Sequence, residues 1–351
     1  MGAKGYIMQV QPFSVNDGDG IRSTIFMAGC PLRCRWCSNP EGLTAAPKIG
    51  WYHRKCIGCG ACAAVCPQGI GIDMNAPAEK SAEGTGDVTE AALERDRCIA
   101  CGKCADVCPA DARTRMVTLT DAEEVLKQIQ KHRLFYSYSG GGVTFSGGEA
   151  TSQPEFLDYL SREIYDMGYS MDIETCGMFD WDRVSHILVR MDLIFMDLKI
   201  FDPDKHREYT GVSNEKILEN MARLASLIET GGENMADRAV FSRADKDIRK
   251  IADEEGRTGN DGRGPEVVIR IPVIGGVNDD DENIIASAKY VHSHLPSAKM
   301  ELLPYHSYGK IKYEALGLPY DHPELRTPDK AEMDRLRDLV RAEGVEIADF
   351  R

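Results

Sequence analysis

The sequence predicts an α/β fold, a partial barrel of about six parallel strands with a smaller Cys-rich unit inserted near its start. Three observations predict it. Short apolar runs alternate with stretches of helical period through most of the 351 residues, the pattern of consecutive βαβ units. The runs are fewer than the eight that close a (β/α) barrel, so the sheet is expected to stay open. The stretch from Trp51 to Arg115 breaks the rhythm and holds eight of the 12 Cys.

The elements follow in order. MGAKGYIMQV is a short strand-like run, and Ser23–Met27 is the first barrel strand. After the Cys-rich stretch, Thr120 is placed to cap a helix through Ala122–His132, with Glu123 completing a capping box. Val143–Ser146 reads as the second strand. Glu155–Met167 sets Phe156, Leu157, Leu160, Ile164 and Met167 at near-helical spacing. Strands at Met171–Thr175, Leu193–Leu198, Val267–Val273 and Met300–Leu303 alternate with helices at Val184–Val189, Lys216–Ile228, Asn283–Leu295 and Lys330–Ala342. Gly231–Gly264 is charged and Gly-rich, and reads as an exposed loop with a short helix at Ala244–Glu255. The expected division is residues 1–50 as the first part of the barrel with a Cys loop, 51–115 as the insertion, and 116–351 as the remainder, 231–264 being the loop. The insertion interrupts a βα connection, on the face where parallel sheets carry their sites.

The formal net charge is −14, and thiolate clusters would deepen it. Nucleic acid is excluded, because its phosphates need clustered Lys and Arg. No run reaches the ~18 apolar residues of a membrane helix. MGAKGYIMQV does not resemble a secretory signal, and Tyr6 stands where myristoylation of Gly2 would want Ser or Thr. The Cys are therefore expected as thiols in a reduced cytoplasm, and exposed iron–sulfur clusters would favour an anaerobic cell.

Cys30, Cys34 and Cys37 form Cys-x3-Cys-x2-Cys directly after the first barrel strand and Gly29. Three thiolates on one loop leave one iron of a four-iron cluster without a protein ligand, open to a small molecule. Structural zinc fits badly, since no His stands at a matching fourth position. Within the insertion, Cys56-x2-Cys59-x2-Cys62-x3-Cys66-Pro67 and Cys98-x2-Cys101-x2-Cys104-x3-Cys108-Pro109 repeat the bacterial two-cluster ferredoxin pattern. An α+β insertion of that type is expected, carrying two closed clusters joined by the polar stretch Asn75–Thr89.

These residues carry a resemblance. The Cys loop resembles that of the radical S-adenosylmethionine superfamily. The surrounding motifs resemble its glycyl radical enzyme activating enzymes: Asp17-Gly18-Asp19-Gly20-Ile21-Arg22, Gly29-Cys30-Pro31-Leu32-Arg33-Cys34, Ser38-Asn39-Pro40-Glu41, Ser146-Gly147-Gly148-Glu149, Glu174-Thr175-Cys176-Gly177, Asp197-Leu198-Lys199 and Leu303-Pro304-Tyr305-His306. They span most of the chain in the family's order. The insertion resembles that of the longer activating enzymes, such as those for glycerol dehydratase, 4-hydroxyphenylacetate decarboxylase, benzylsuccinate synthase and choline trimethylamine-lyase. Asp19 and Gly275 depart from it, each standing where many members have Pro.

The resemblance implies reductive cleavage of S-adenosylmethionine to methionine and a 5′-deoxyadenosyl radical, which takes hydrogen from one glycine of a partner glycyl radical enzyme. It implies three [4Fe-4S] clusters. Cys30, Cys34 and Cys37 hold the open one. Cys56, Cys59, Cys62 and Cys108 hold the second; Cys98, Cys101, Cys104 and Cys66 hold the third. It implies that Gly147, Gly148 and Glu149 receive the methionine amino group and that Lys199 meets the carboxylate. Glu174 and Asp197 would line the pocket, where some members hold a monovalent cation. Arg270 and His306 would touch the cofactor, and Trp36 would lie against the nucleobase. Cys176, the one Cys outside the clusters, is expected to be inert. Flavodoxin or ferredoxin is the expected electron donor, and the chain is expected to be a monomer. Two rivals differ from this reading: a radical S-adenosylmethionine enzyme acting on a small molecule, and an electron carrier using only the ferredoxin-like clusters. A carrier needs neither the open loop nor Gly147-Gly148-Glu149.

Overall fold

A computed structural model describes residues 2–70, 97–230, 264–320, 322, 324–348 and 350. The expected loop at 231–264 and the helix within it lie outside the described residues, Gly264 excepted.

Among the described residues nine strands, β1 (Lys4–Ser14), β2 (Arg22–Met27), β3 (Lys48–Trp51), β4 (Arg113–Asp121), β5 (Gly142–Gly147), β6 (Ser170–Thr175), β7 (Leu193–Asp197), β8 (Glu266–Val273) and β9 (Lys299–Pro304), make one sheet. Its order is β3-β4-β1-β2-β5-β6-β7-β8-β9. From β2 to β9 every neighbouring pair is parallel. These are the six strands expected from the sequence, each end within one residue. Parallel strands are covered on both faces and so read as continuous apolar runs; in β7, Leu193 through Met196 are all buried.

Helices pack on the outer face. Pro154–Asp166 turns Phe156, Leu157, Leu160 and Ile164 into the main core beside Ile25, Phe145 and Ile173. Burying a side chain of this size stabilises by about 1.5–3 kcal/mol. Trp181–Leu188, Glu215–Thr230, Asp281–His294 and Lys330–Ala342 cover the later strands. No helix among the described residues is long and apolar enough to cross a membrane.

Three strands extend the expected six. β1 runs antiparallel to β2 and to β4, and β3 is antiparallel to β4. The β3–β4 ladder ends at Trp51 opposite Arg113, where the Arg113 guanidinium lies 4.6 Å from the Trp51 ring centre. Both ends of the Cys-rich stretch therefore leave from one ladder. The expected cap differs as well. The helix is Ala122–Gln130, its N-cap is Asp121, and no side chain caps it. Thr120 is instead committed to β4, paired with Gly5, its hydroxyl 3.1 Å from that of Thr118.

The Asp17–Arg22 motif sits where β2 begins, at the edge of the sheet opposite the Cys loop. Arg22 is wholly buried, donating to Thr144 Oγ1 at 2.7 Å, to the Val143 carbonyl and to the Asp19 carbonyl, with Asp172 3.0 Å away. Gly275, the other departure, forms an isolated antiparallel bridge with Arg326.

Candidate functional site

The carboxyl ends of the parallel strands all open onto one edge, and the loops leaving them surround a cleft of about 270 Å3. Cys30, Cys34 and Cys37 follow β2 and line one wall. Ser146 and Gly147 end β5 and Gly148 follows them, Glu174 and Thr175 end β6 and Cys176 follows them, and Asp197 ends β7 with Lys199 two residues beyond. Arg270 and Pro272 come from β8 and Leu303 from β9. Trp36 also lines the cleft, packed with Ile200, Ile274, Val277 and Tyr305. Of the expected site residues, Trp36, Gly147, Gly148, Glu174, Asp197, Lys199 and Arg270 converge here with the three Cys.

Backbone hydrogen bonds fix the Cys loop. Arg33 N donates to the Thr210 carbonyl at 2.7 Å, and Arg35 N to that of Tyr209 at 3.0 Å. Glu149 N donates to the Gly29 carbonyl at 2.7 Å, tying the loop after β5 to the Cys loop. Gly147 has a φ of +120°, and a β-carbon there would meet the Met27 carbonyl oxygen at 2.3 Å, so only glycine permits this approach. Burial pushes the Cys34 thiol up to about 12 and the Cys37 thiol up to about 11. Cys30 is held below the ordinary thiol value, first by a hydrogen bond from Cys176. Ligation of a metal cluster must displace protons from Cys34 and Cys37.

The opposite wall is charged. Lys199 Nζ lies 2.7 Å from Asp197 Oδ2. Burial works against the Lys199 charge, but Asp197 and the Cys34 sulfur outweigh it and the ammonium pKa rises. Arg270 bridges Glu174 at 2.5 Å and Glu301 at 2.7 Å, its guanidinium carbon 3.4 Å from the Phe195 ring centre. Burial raises the Glu174 carboxyl, and Arg270 opposes it. The Asp197–Lys199 pair presents one anionic acceptor beside one cationic donor, the complement of an amino acid's ammonium and carboxylate.

Two expected residues stand elsewhere. Glu149 is buried and does not line the cleft. Its carboxylate accepts from Thr151 N, Thr151 Oγ1, Thr175 Oγ1 and Cys176 N, at 3.2, 2.6, 2.9 and 2.6 Å. These four bonds tie the loop after β5 to the end of β6. His306 is exposed and outside the lining, its ring stacked on Tyr308 with centroids 4.5 Å apart. Conversely, Cys176, set aside from the sequence, lines the cleft and touches Cys30. Glu301 was missed; its place two residues before Leu303, on the same face of β9, is the signal that would have found it.

In the insertion, the repeat is visible in the backbone. Short helices Ala61–Ala64 and Lys103–Asp106 each start after a left-handed glycine, Gly60 and Gly102. Cys66 Sγ accepts from Ile70 N at 3.3 Å, and Cys108 Sγ from Ala112 N at 3.2 Å. Cys66, Cys98, Cys101 and Cys104 line a common cavity. Among the described residues no three Cys, His, Asp or Glu side chains converge as ligands of a single metal ion. Sulfurs spread around a cavity with N–H donors behind them fit a polynuclear cluster.

Two family models match the chain over overlapping stretches. A 4Fe-4S dicluster domain profile matches residues 55–112, and a radical SAM superfamily profile matches residues 97–243. The indoleacetate decarboxylase activating enzyme of Tractidigestivibacter scatoligenes is 32% identical, over 97% of this chain and 96% of its own. The (2S)-3-sulfopropanediol dehydratase activating enzyme of Klebsiella oxytoca is 35% identical, over 90% and 86%. The trans-4-hydroxy-L-proline dehydratase activating enzyme of Clostridioides difficile is 34% identical, over 96% of each.

Proposed function

The chain belongs to the glycyl radical enzyme activating enzymes of the radical SAM superfamily, and we propose on that footing which residues carry each part of the reaction. The reaction is reductive cleavage of S-adenosylmethionine, with a [4Fe-4S] cluster supplying the electron, to methionine and a 5′-deoxyadenosyl radical that takes hydrogen from a glycine of the partner enzyme. Cys30, Cys34 and Cys37 hold that cluster and leave one iron open. The Asp197–Lys199 pair receives the methionine moiety, Lys199 on the carboxylate and Asp197 on the ammonium. Ser146, Gly147 and Gly148 form the neighbouring wall, kept in place by Glu149. Trp36 closes the side of the nucleobase. Arg270 holds Glu174 and Glu301 in a polar floor.

Cys56, Cys59, Cys62 and Cys108 hold a second cluster, and Cys66, Cys98, Cys101 and Cys104 a third, relaying electrons from flavodoxin or ferredoxin. A monovalent cation beside Asp197, a monomeric state and a cytoplasmic place complete the proposal. The observation that carries it is the convergence of the three-Cys loop and the Asp197–Lys199 pair on one cleft. The test is electron paramagnetic resonance of a candidate glycyl radical enzyme incubated anaerobically with the chain, S-adenosylmethionine and dithionite. A glycine-centred radical, with one 5′-deoxyadenosine formed per radical, is expected. 5′-Deoxyadenosine with a modified small molecule and no protein radical would favour the small-molecule rival.

A further inference from the structure

An exposed apolar ridge borders the cleft just after β9. Tyr308 is 80% exposed and Ile311 57% exposed, and the Tyr308 ring is steadied by the stacked His306 ring at 4.5 Å. The ridge is seated on the Cys loop. At Gly309, between the two residues, a side chain would meet the Cys37 carbonyl oxygen and the Ser38 α-carbon, each at 2.9 Å. From the helix Lys310–Leu316, Lys312 Nζ reaches Asn39 Oδ1 and Glu41 Oε1, both at 2.7 Å. The same helix buries Tyr313, Ala315 and Leu316 on its inner side. Ile311 and Tyr308 are therefore held outward by a support bonded to the cluster loop itself.

Single exposed apolar residues are ordinary. This pair differs by its place. The reaction brings the α-carbon of a glycine in another polypeptide into the cleft, so the main chain on either side of that glycine has to cross the rim. A flat aromatic ring and a branched aliphatic group, both with few rotamers to lose, suit an extended backbone segment whose central residue lacks a side chain. We propose that Tyr308 and Ile311 are the docking strip for the glycine-bearing loop of the partner enzyme. This rests on the activating-enzyme reading above.

The experiment titrates the full-length glycyl radical enzyme activated by the wild-type chain against wild type, Tyr308→Ala, Ile311→Ser and Tyr308→Phe. Initial glycyl radical formation is read by electron paramagnetic resonance, and 5′-deoxyadenosine is measured separately with no partner present. Tyr308→Ala and Ile311→Ser should each raise the half-saturating partner concentration about ten-fold, and leave partner-free cleavage within about two-fold of wild type. Tyr308→Phe should behave as wild type. So should Tyr138→Ala, an 89% exposed residue in the helix Arg133–Ser139 before β5, at the opposite edge of the sheet. Unchanged half-saturation in both ridge variants overturns the proposal, as does a matching fall in partner-free cleavage, which would make the ridge a support of the cleft. If wild type forms no radical on any glycyl radical enzyme, the activating-enzyme reading fails and the docking strip with it.

Discussion

Arg270 Nη1 donates to Glu174 Oε1 at 2.5 Å, joining β8 to β6 across the strand between them. The same guanidinium also binds Glu301 on β9, so one cation bridges the buried Glu301 and the half-buried Glu174. Removing one partner of a buried ion pair typically costs about 3–5 kcal/mol. Arg270→Met should destabilise on that scale and weaken S-adenosylmethionine binding. Adding Glu174→Gln should restore part of the stability without restoring binding. Urea denaturation and calorimetric titration of the anaerobically reconstituted protein separate the two effects.

Glu149 is buried against Thr175 and the Cys176 amide, at the end of the strand beside the cleft. Glu149→Ala leaves four buried donors unsatisfied, each worth about 1–3 kcal/mol. The expected outcome is a fall in stability greater than the loss of S-adenosylmethionine affinity. Lys199→Ala should show the reverse, an affinity loss of about 1.5–3 kcal/mol with a smaller change in stability. Equal affinity losses with unchanged melting would return Glu149 to direct ligand contact.

His206 gives the site a pH dependence. Its Nδ1 lies 2.6 Å from the Val212 carbonyl, and its Nε2 is buried with no hydrogen-bond partner among the described residues. Burial lowers its pKa, outweighing the Val212 bond that raises it. The folded state therefore binds this proton more weakly than the unfolded chain. Stability is present in full above the unfolded histidine value of about 6.5 and falls as pH drops below it, toward the lower folded value. The helix Pro203–Thr210 that carries His206 also holds the backbone of Arg33 and Arg35 in the Cys loop. Unfolding followed between about pH 5.5 and 7.5 should show this slope in wild type and lose part of it in His206→Gln.

The parts of the fold that were legible in the sequence share a physical cause. β2 and β5 through β9 are largely buried, so each carries a short apolar core, unbroken over Leu193–Met196 in β7 and interleaved with buried polar residues such as Thr24, Thr144 and Asp172 in β2, β5 and β6. β1 was only half legible because its outer half is exposed and mixed in character, with a burial that alternates weakly. The helix Pro203–Thr210 buries only His206 and Thr210, so no apolar period marks it. At the site, spacing located the three Cys and the strand ends that face them. It did not reveal the direction of Glu149. A Gly-Gly-Glu turn can send its carboxylate toward the cleft or back into the loop, and the choice depends on Thr151, Thr175 and the Cys176 amide. Nor did spacing reveal that Cys176 stands against Cys30.

The insertion should matter through electrons. Cys101→Ala removes one of the four thiols around the cavity shared with Cys66, Cys98 and Cys104. Activation driven by flavodoxin or ferredoxin should slow, while dithionite should bypass part of the loss. Iron content and circular dichroism must accompany the rates, because cluster ligation and folding are coupled. Equal slowing with both reductants would make the insertion a brace or a docking unit.

The most direct test is 5′-deoxyadenosine formation by Cys30→Ala under dithionite, with iron counted in the same sample. Cys30 belongs to the cleft loop, while the ferredoxin-like ligands leave from the β3–β4 ladder. The account predicts no cleavage of S-adenosylmethionine and retention of about eight of the ~12 irons of three cubanes. Cleavage at the wild-type rate by Cys30→Ala would contradict it.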